Sequence, residues 1–311
     1  MVPVGSYRMP GRGMDGVLHG RGGELERLLH VDDESVTVAA WTAGGRVRFR
    51  AQAATRDAAE AAIGRMRFAL GVDHDLRPFH RAFKDDLLLG PVIRRKPWLR
   101  PRRRPEPFEA FAWAVSEQLI DVERAFAIQR ELVRRHGPRS ACGRFRDVPS
   151  AAAVARLAPA QIDACGLAPK RSIALIRAAR EIATGRADLA SHEPTWRRLA
   201  TIRNIGPWTL ECLAFLGQGR DDQLPAGDLA YVKAVGRLAH LGRRATVEEV
   251  REFFAPYAPF QALAGMYALH AQMPAGPPLP YRPETGAVGI GASYHGTGRP
   301  RPPRSSRWAQ R

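Results

Sequence analysis

The chain is short of cysteine, of lysine and of long apolar runs. Cys142, Cys165 and Cys212 are the only cysteines in 311 residues, and they are scattered with no CxxC pair. That pattern argues against a disulfide framework, a structural zinc site and a four-cysteine iron–sulfur cluster, and leaves reduced core thiols. The nine histidines show no ligand spacing, so no metal site is expected. No apolar run approaches the roughly 20 residues that span a bilayer. The amino terminus carries no signal-peptide apolar core. The expectation is a cytoplasmic protein with no membrane partner.

Lysine occurs at Lys84, Lys96, Lys170 and Lys233 alone, so the basic residues are overwhelmingly arginine. Net charge is +17, which points to a polyanionic partner. The charge is unevenly spread. Residues 94–104, RRKPWLRPRRR, hold seven basic side chains and no acid, and residues 275–311 add a net +5. By itself an arginine bias gives nucleic-acid binding only modest support.

A content of 45% apolar residues supports real cores, and the length suits about two compact domains. Residues 1–14 read as a flexible leader. Residues 15–93 read as a small α+β domain: Val36–Trp41 and Val47–Ala51 alternate as strands around a Thr42–Gly45 turn, and Ala58, Ala62, Met66 and Leu70 mark a helix. Prolines 97, 101 and 105 and the basic run make 94–106 a linker. From 107 to 273 nearly every segment has helical spacing. Residues 274–311 are rich in Gly, Pro and Arg and read as a disordered basic tail.

The organising stretch is 195–233. Trp196, Leu199 and Ala200 space as one helix face, Ile202-Arg-Asn-Ile-Gly206 breaks it, and Pro207 suits the first position of a second helix. Trp208, Cys212 and Phe215 then recur at helical spacing. A tight hairpin of this kind leaves N–H groups at a helix start, which suit a phosphate. Pro225-Ala-Gly-Asp228 opens a third helix with Asp228 as N-cap.

The hairpin Leu199–Thr209 followed by the loop Leu224–Asp228 resembles the helix-hairpin-helix superfamily of DNA glycosylases, named for this hairpin and a Gly/Pro-rich loop ending in a catalytic Asp. The nearest branch is similar to the bacterial alkylbase (3-methyladenine) glycosylases, which have Trp where lyase-coupled relatives have a Lys nucleophile, as at Trp208. The resemblance implies an α+β amino-terminal domain followed by an all-α glycosylase core. It implies a repair enzyme that is a monomer acting near the nucleoid on double-stranded DNA with damaged bases, with no cofactor beyond a monovalent cation at the hairpin carbonyls.

The same resemblance assigns roles. Asp228 is the catalytic carboxylate: helix-start N–H groups stabilise the anion, which in turn stabilises positive charge developing on the sugar. Without the resemblance, an Asp in this place is a plain helix cap. A target inside a stacked duplex must be rotated out, and the hole is filled by a wedge matching Gln118-Leu119; read from periodicity alone, Leu119 is core. Arg203, Asn204, Ile205, Gly206 and Thr209 are the expected phosphate contacts, with Asn204 standing where the hairpin usually has Gly. Trp208, Cys212 and Leu229 line the expected base pocket, a thinner aromatic lining than the branch usually has. The alternatives are a glycosylase for another lesion, or a non-catalytic protein using the hairpin as a DNA clamp.

Overall fold

The structure is a computed structural model that describes residues 7–271 and the backbone of Val2–Pro3. The expected tail, 274–311, and part of the leader lie outside the described residues.

An antiparallel sheet of order β1-β5-β4-β3-β2 opens the fold: β1 (Val2–Pro3), β2 (Leu18–Arg21), β3 (Glu24–Val31), β4 (Glu34–Ala43) and β5 (Arg46–Gln52). Asp32-Asp33 (φ 47° and 67°) and Gly44-Gly45 (φ 57° and 65°) make the β3–β4 and β4–β5 connections, with the left-handed backbone that twisted two-residue hairpins demand. One face of the sheet packs on α1 (Arg56–Leu70) through Leu29, Val36, Val38, Ala62 and Met66. Thr55 Oγ1 caps that helix by accepting from the Ala58 N–H, and Gly71 at φ 65° ends it.

The described part of the leader is held rather than free. Val2 pairs with Val47 and Pro3 with Arg46, and the Tyr7 hydroxyl donates to the Leu70 carbonyl at 3.1 Å. Strands β2 and β3 were not expected, because ELERLLHV buries Leu25, Arg27, Leu28 and Leu29 and so lacks a clean alternation. Arg27 is buried because it faces partners instead of water.

The rest is helical: α2 (Arg77–Phe83), α3 (Gly90–Arg95), α4 (Pro107–Glu117), α5 (Val122–His136), α6 (Ala151–Ala155), α7 (Pro159–Asp163), α8 (Pro169–Ala183), α9 (His192–Ala200), α10 (Pro207–Cys212), α11 (Leu229–Leu238), α12 (Val247–Phe254) and α13 (Gln261–Ala268). Leu213–Gly217 extends α10 as one π-helical turn. Two cores organise these helices. One joins α4, α5, α8, α9 and α10 around Phe111, Trp113, Leu175 and Leu199. The other joins α11, α12 and α13 to α2 and α3 around Phe79, Leu89, Phe254 and Tyr267. Residues 76–93 therefore pack with the carboxyl-terminal helices, not with the sheet to which sequence order assigned them. Apolar side chains of α2 and α3 complete a core that α11 to α13 leave open.

The basic segment 94–106 is likewise structural. Arg103 donates to Asp221 Oδ1 at 2.8 Å and to the Gly219 carbonyl, while Asp221 Oδ2 meets His74 Nε2 at 2.7 Å. The Arg104 N–H donates to the Leu216 carbonyl at 2.8 Å, and its guanidinium reaches the buried Asp15 at 2.6 Å. Beside it, Arg27 of β3 grips Glu109 of α4 through two bonds and reaches Asp147 at 3.5 Å. Burial opposes charge on Arg27, yet Glu109 and Asp147 outweigh it and raise its pKa. These ion pairs tie the sheet to the helices, and the described residues form one compact unit. A cavity of about 140 Å³ lined by Pro10, Met14, Asp15, Arg27, Arg104 and Phe126 adjoins this cluster, and none of its lining residues belongs to the hairpin or the Asp228 loop.

Candidate active site

The site lies where the two helical cores meet, because α10 serves both. Its Leu210 sits in one core, and Phe215 of the following π turn sits in the other. Gly206 is the extended N-cap of α10 with Pro207 at its first position. Asn204 takes φ 71°, the left-handed turn required of it in place of Gly. Its Nδ2 donates to the Lys170 carbonyl at 3.4 Å. The N–H groups of Gly206 and Trp208 have no acceptor among the described residues, whereas the Ile205 N–H is bonded to the Ile202 carbonyl at 3.0 Å.

Two expected phosphate contacts are therefore corrected. Ile205 is 6% exposed, with its side chain in the core and its N–H already used inside the hairpin. Thr209 is 1% exposed, and its hydroxyl accepts from Gln118 Nε2 at 2.8 Å, so it faces inward. Arg203, Asn204 and Gly206 are left at the surface of the turn.

Gln118 is the bridge between α4 and the hairpin. It follows the last residue of α4, and besides Thr209 it donates to the Asn204 carbonyl at 3.1 Å. The next residue, Leu119, is fully exposed at φ 54°. A core role for Leu119 is thereby removed, since the helix ends two residues earlier. A bulky residue both left-handed and wholly in water is uncommon, and such conformations persist where the surroundings impose them.

Asp228 caps α11: its Oδ1 accepts from the Ala230 N–H at 2.8 Å. Its Oδ2 meets only the long contact from Trp208 Nε1, at 3.4 Å. The cap thus occupies one oxygen and leaves the other largely available. Trp208 is half-buried beside the loop, and a Cβ placed on Gly227 would lie 3.7 Å from its Cβ, so the loop passes the ring at van der Waals distance. One turn on, Cys212 is buried, and burial together with the nearby charges of Glu117, Asp228 and Glu211 pushes its thiol well up. That direction keeps it a neutral thiol. Leu229 is 51% exposed at the start of α11. His270 faces Lys96 Nζ at 3.0 Å, and its carbonyl accepts from Arg95, which places it on the basic segment.

One group escaped the sequence reading. Glu117, the last residue of α4, is partly buried, and its Oε1 accepts from the wholly buried Gln129 at 3.0 Å. Burial pushes its carboxyl up, against the opposing effects of Gln129 and Arg104 and with a further push from the Asp228 charge. Nothing in the local pattern distinguishes it from the ordinary acids at helix ends. Glu211, another buried carboxyl, is instead tied to Arg251 at 2.9 Å. Among the described residues no group of three or more His, Cys, Asp or Glu side chains is arranged to hold a metal ion.

Comparison with known proteins agrees with this layout. Residues 112–259 match the HhH-GPD superfamily of base excision DNA repair proteins. The DNA-3-methyladenine glycosylase of Bacillus subtilis is 27% identical over 208 residues, covering 63% of this chain and 67% of that one. DNA-3-methyladenine glycosylase 1 of Schizosaccharomyces pombe is 28% identical over 194 residues, 60% of this chain and 82% of that protein. The 3-methyladenine DNA-glycosylase of Archaeoglobus fulgidus shares the fold with a TM-score of 0.72 at 22% identity, over 82% of this chain and 89% of that one. Hairpin, capped Asp228 and these matches lead to one assignment: residues 112–259 form a base excision DNA repair domain of the HhH-GPD superfamily, in a chain homologous to DNA-3-methyladenine glycosylases.

Proposed function

We propose that the chain is a monofunctional DNA glycosylase of base excision repair. It hydrolyses the bond between C1′ and the base of flipped-out alkylated purines, of the 3-methyladenine type, and leaves an abasic site. The observation that carries this reading is Asp228: one oxygen is engaged by the start of α11, and the other is held only by a long bond from Trp208. A carboxylate so fixed needs no reorganisation to stabilise a sugar cation, and such aimed charge is a large catalytic contribution.

The rest of the reading follows. Leu119 fills the hole in the stack, and its full exposure suits that role. The free N–H groups of Gly206 and Trp208, with Arg203 beside them, receive a phosphate. Trp208 offers a face to a cationic base. It supplies no amine for a Schiff base, so the strand stays intact. No cofactor takes part. A monovalent cation at the hairpin belongs to the reading, because the Asn204 carbonyl accepts one bond from Gln118 and keeps a second lone pair. The protein acts as a monomer in the cytoplasm, at the nucleoid, on damaged double-stranded DNA.

Incubation with methylated duplex DNA tests the proposal. Free alkylated purine and an intact abasic strand are expected. A borohydride-trapped covalent adduct would point to lyase chemistry instead. Tight DNA binding with no released base of any kind would favour the clamp without catalysis. A different released base would favour the other-lesion reading, for which the thin aromatic lining at Cys212 and Leu229 is the motive.

A further inference from the structure

A bond path links Glu117 to Asp228 across the seam between the two cores. Glu117 precedes Gln118, Gln118 Nε2 bonds Thr209 Oγ1 at 2.8 Å, and the neighbouring Trp208 bonds Asp228 Oδ2 at 3.4 Å. The end of α4 and the start of α11 thus both bond the first turn of α10, with Cys212 one turn below Trp208 and influenced by both carboxyl groups. Glu117 Oε1 is anchored by the buried amide of Gln129, which Ser116 Oγ holds in turn at 3.0 Å. Its Oε2 has no hydrogen-bond partner among the described residues. No arginine or lysine makes an ion pair with it, unlike Glu109 and Glu211.

We propose that Glu117 is a proton donor to the departing base, a second functional carboxyl beside Asp228 that lets the site release neutral as well as cationic purines. The inference rests on the glycosylase reading and extends it. An alkylated purine already carries positive charge and departs unaided, whereas a neutral purine leaves as an anion unless a ring nitrogen is protonated. The lining at Cys212 and Leu229 gives little aromatic surface to hold a cation. A carboxyl kept neutral by burial can do for a neutral purine what charge does for an alkylated one.

The groups acting on Glu117 support the protonated form. Burial and the Asp228 and Asp15 carboxylates favour it, while the Gln129 bond and the Arg104 guanidinium oppose it; the net direction is upward. In the step itself, the Glu117 O–H bond breaks as its proton passes to a purine ring nitrogen. The C1′–N bond breaks with both electrons going to the base, which departs neutral. The sugar cation, held beside Asp228, takes the oxygen of a water. That water's proton returns to the carboxylate pair, and Glu117 ends protonated again.

Two duplexes test this, one carrying a single deoxyinosine as the neutral purine and one a single 7-methyldeoxyguanosine as the cationic one. Single-turnover release is measured for the parent and for Glu117→Gln from weakly acidic to weakly alkaline pH. In the parent, release of hypoxanthine should fall as pH rises through the Glu117 titration, while release of 7-methylguanine stays flat. In Glu117→Gln, whose amide oxygen can still accept from Gln129, the ratio of neutral to cationic release should drop by about 10²-fold or more. An unchanged ratio, or a greater loss on the cationic base, overturns the proposal. Should the variant not fold, matching pH profiles for the two bases in the parent would overturn it equally. A parent that releases 7-methylguanine but no hypoxanthine refutes the donor alone; release of neither refutes the glycosylase reading as well.

Discussion

Gln118 Nε2 lies 2.8 Å from Thr209 Oγ1 and 3.1 Å from the Asn204 carbonyl, so one side-chain amide fastens the end of α4 to both the turn and the second helix of the hairpin. The exposed Leu119 and the outward N–H groups of the turn are consequently held in one frame. A shift of the hairpin on phosphate would carry the wedge with it.

Thr209→Val tests that coupling. It keeps the shape but removes the acceptor, and is expected to cost about 1 kcal/mol in stability. It should also slow base release from duplex DNA more than from a lesion in an already unpaired strand. Thr209→Ser should restore both. Equal behaviour of the Val and Ser variants in urea unfolding and release assays would show that the bond to Gln118 has no functional role.

Leu119→Gly separates stability from function. The side chain is fully exposed, and its φ of 54° costs an L-residue about 1–2 kcal/mol. Glycine relieves that strain while adding about 0.5–1 kcal/mol of chain entropy to the unfolded state. Thermal stability should hold or rise, and release from a paired lesion should fall. A lower melting temperature, or release at the parental rate, would count against Leu119 as the wedge.

Asp228→Asn removes the charge and keeps the cap. Asn Oδ1 can still accept from the Ala230 N–H, so stability should stay within about 1 kcal/mol of the parent. Base release should fall on the order of 10²–10³-fold, because the aimed negative charge is gone. A folded variant that binds lesion DNA and excises at the parental rate would make Asp228 a cap only.

Asp15 provides a stability test remote from the chemistry. It is 1% exposed and accepts from Arg104, from Trp113 Nε1 at 3.2 Å and from the Val17 N–H. Burial works against its ionisation, but Arg104 and Arg27, with these bonds, hold its carboxyl below the ordinary range. A depressed folded pKa adds stability that is present above the unfolded value of about 3.9 and lost as pH falls through the folded one. Asp15→Asn should therefore be less stable at neutral pH, by about 1.5–3 kcal/mol, since it takes the charged partner from Arg104, whose remaining ion pair to Glu109 is long at 3.5 Å. The gap to the parent should narrow in acid. Urea titrations at neutral and strongly acid pH check this; a gap independent of pH would contradict it.

The chain's own local chemistry determined the helices and the key turns. Pro207 at a helix start, Asp228 before α11, the Gly44-Gly45 turn and the period of Ala58, Ala62, Met66 and Leu70 are all short-range signals, because capping, turn geometry and periodicity depend on neighbours in sequence. The spacing of the hairpin and the loop Asp was equally legible. Tertiary structure alone decided what depends on distant partners. Arg27 is buried only because Glu109 and Asp147, far along the chain, neutralise it. Arg103 and Arg104, which read as free positive charge, are consumed by Asp221 and Asp15. Leu119 fits the apolar stripe of α4, yet it is in water because the backbone turns left-handed there. Thr209 turns inward because Gln118 is opposite it, and Glu117 gains its character from burial beside Asp228. Desolvation and long-range charge pairing belong to the packed molecule, and no stretch of the sequence contains them.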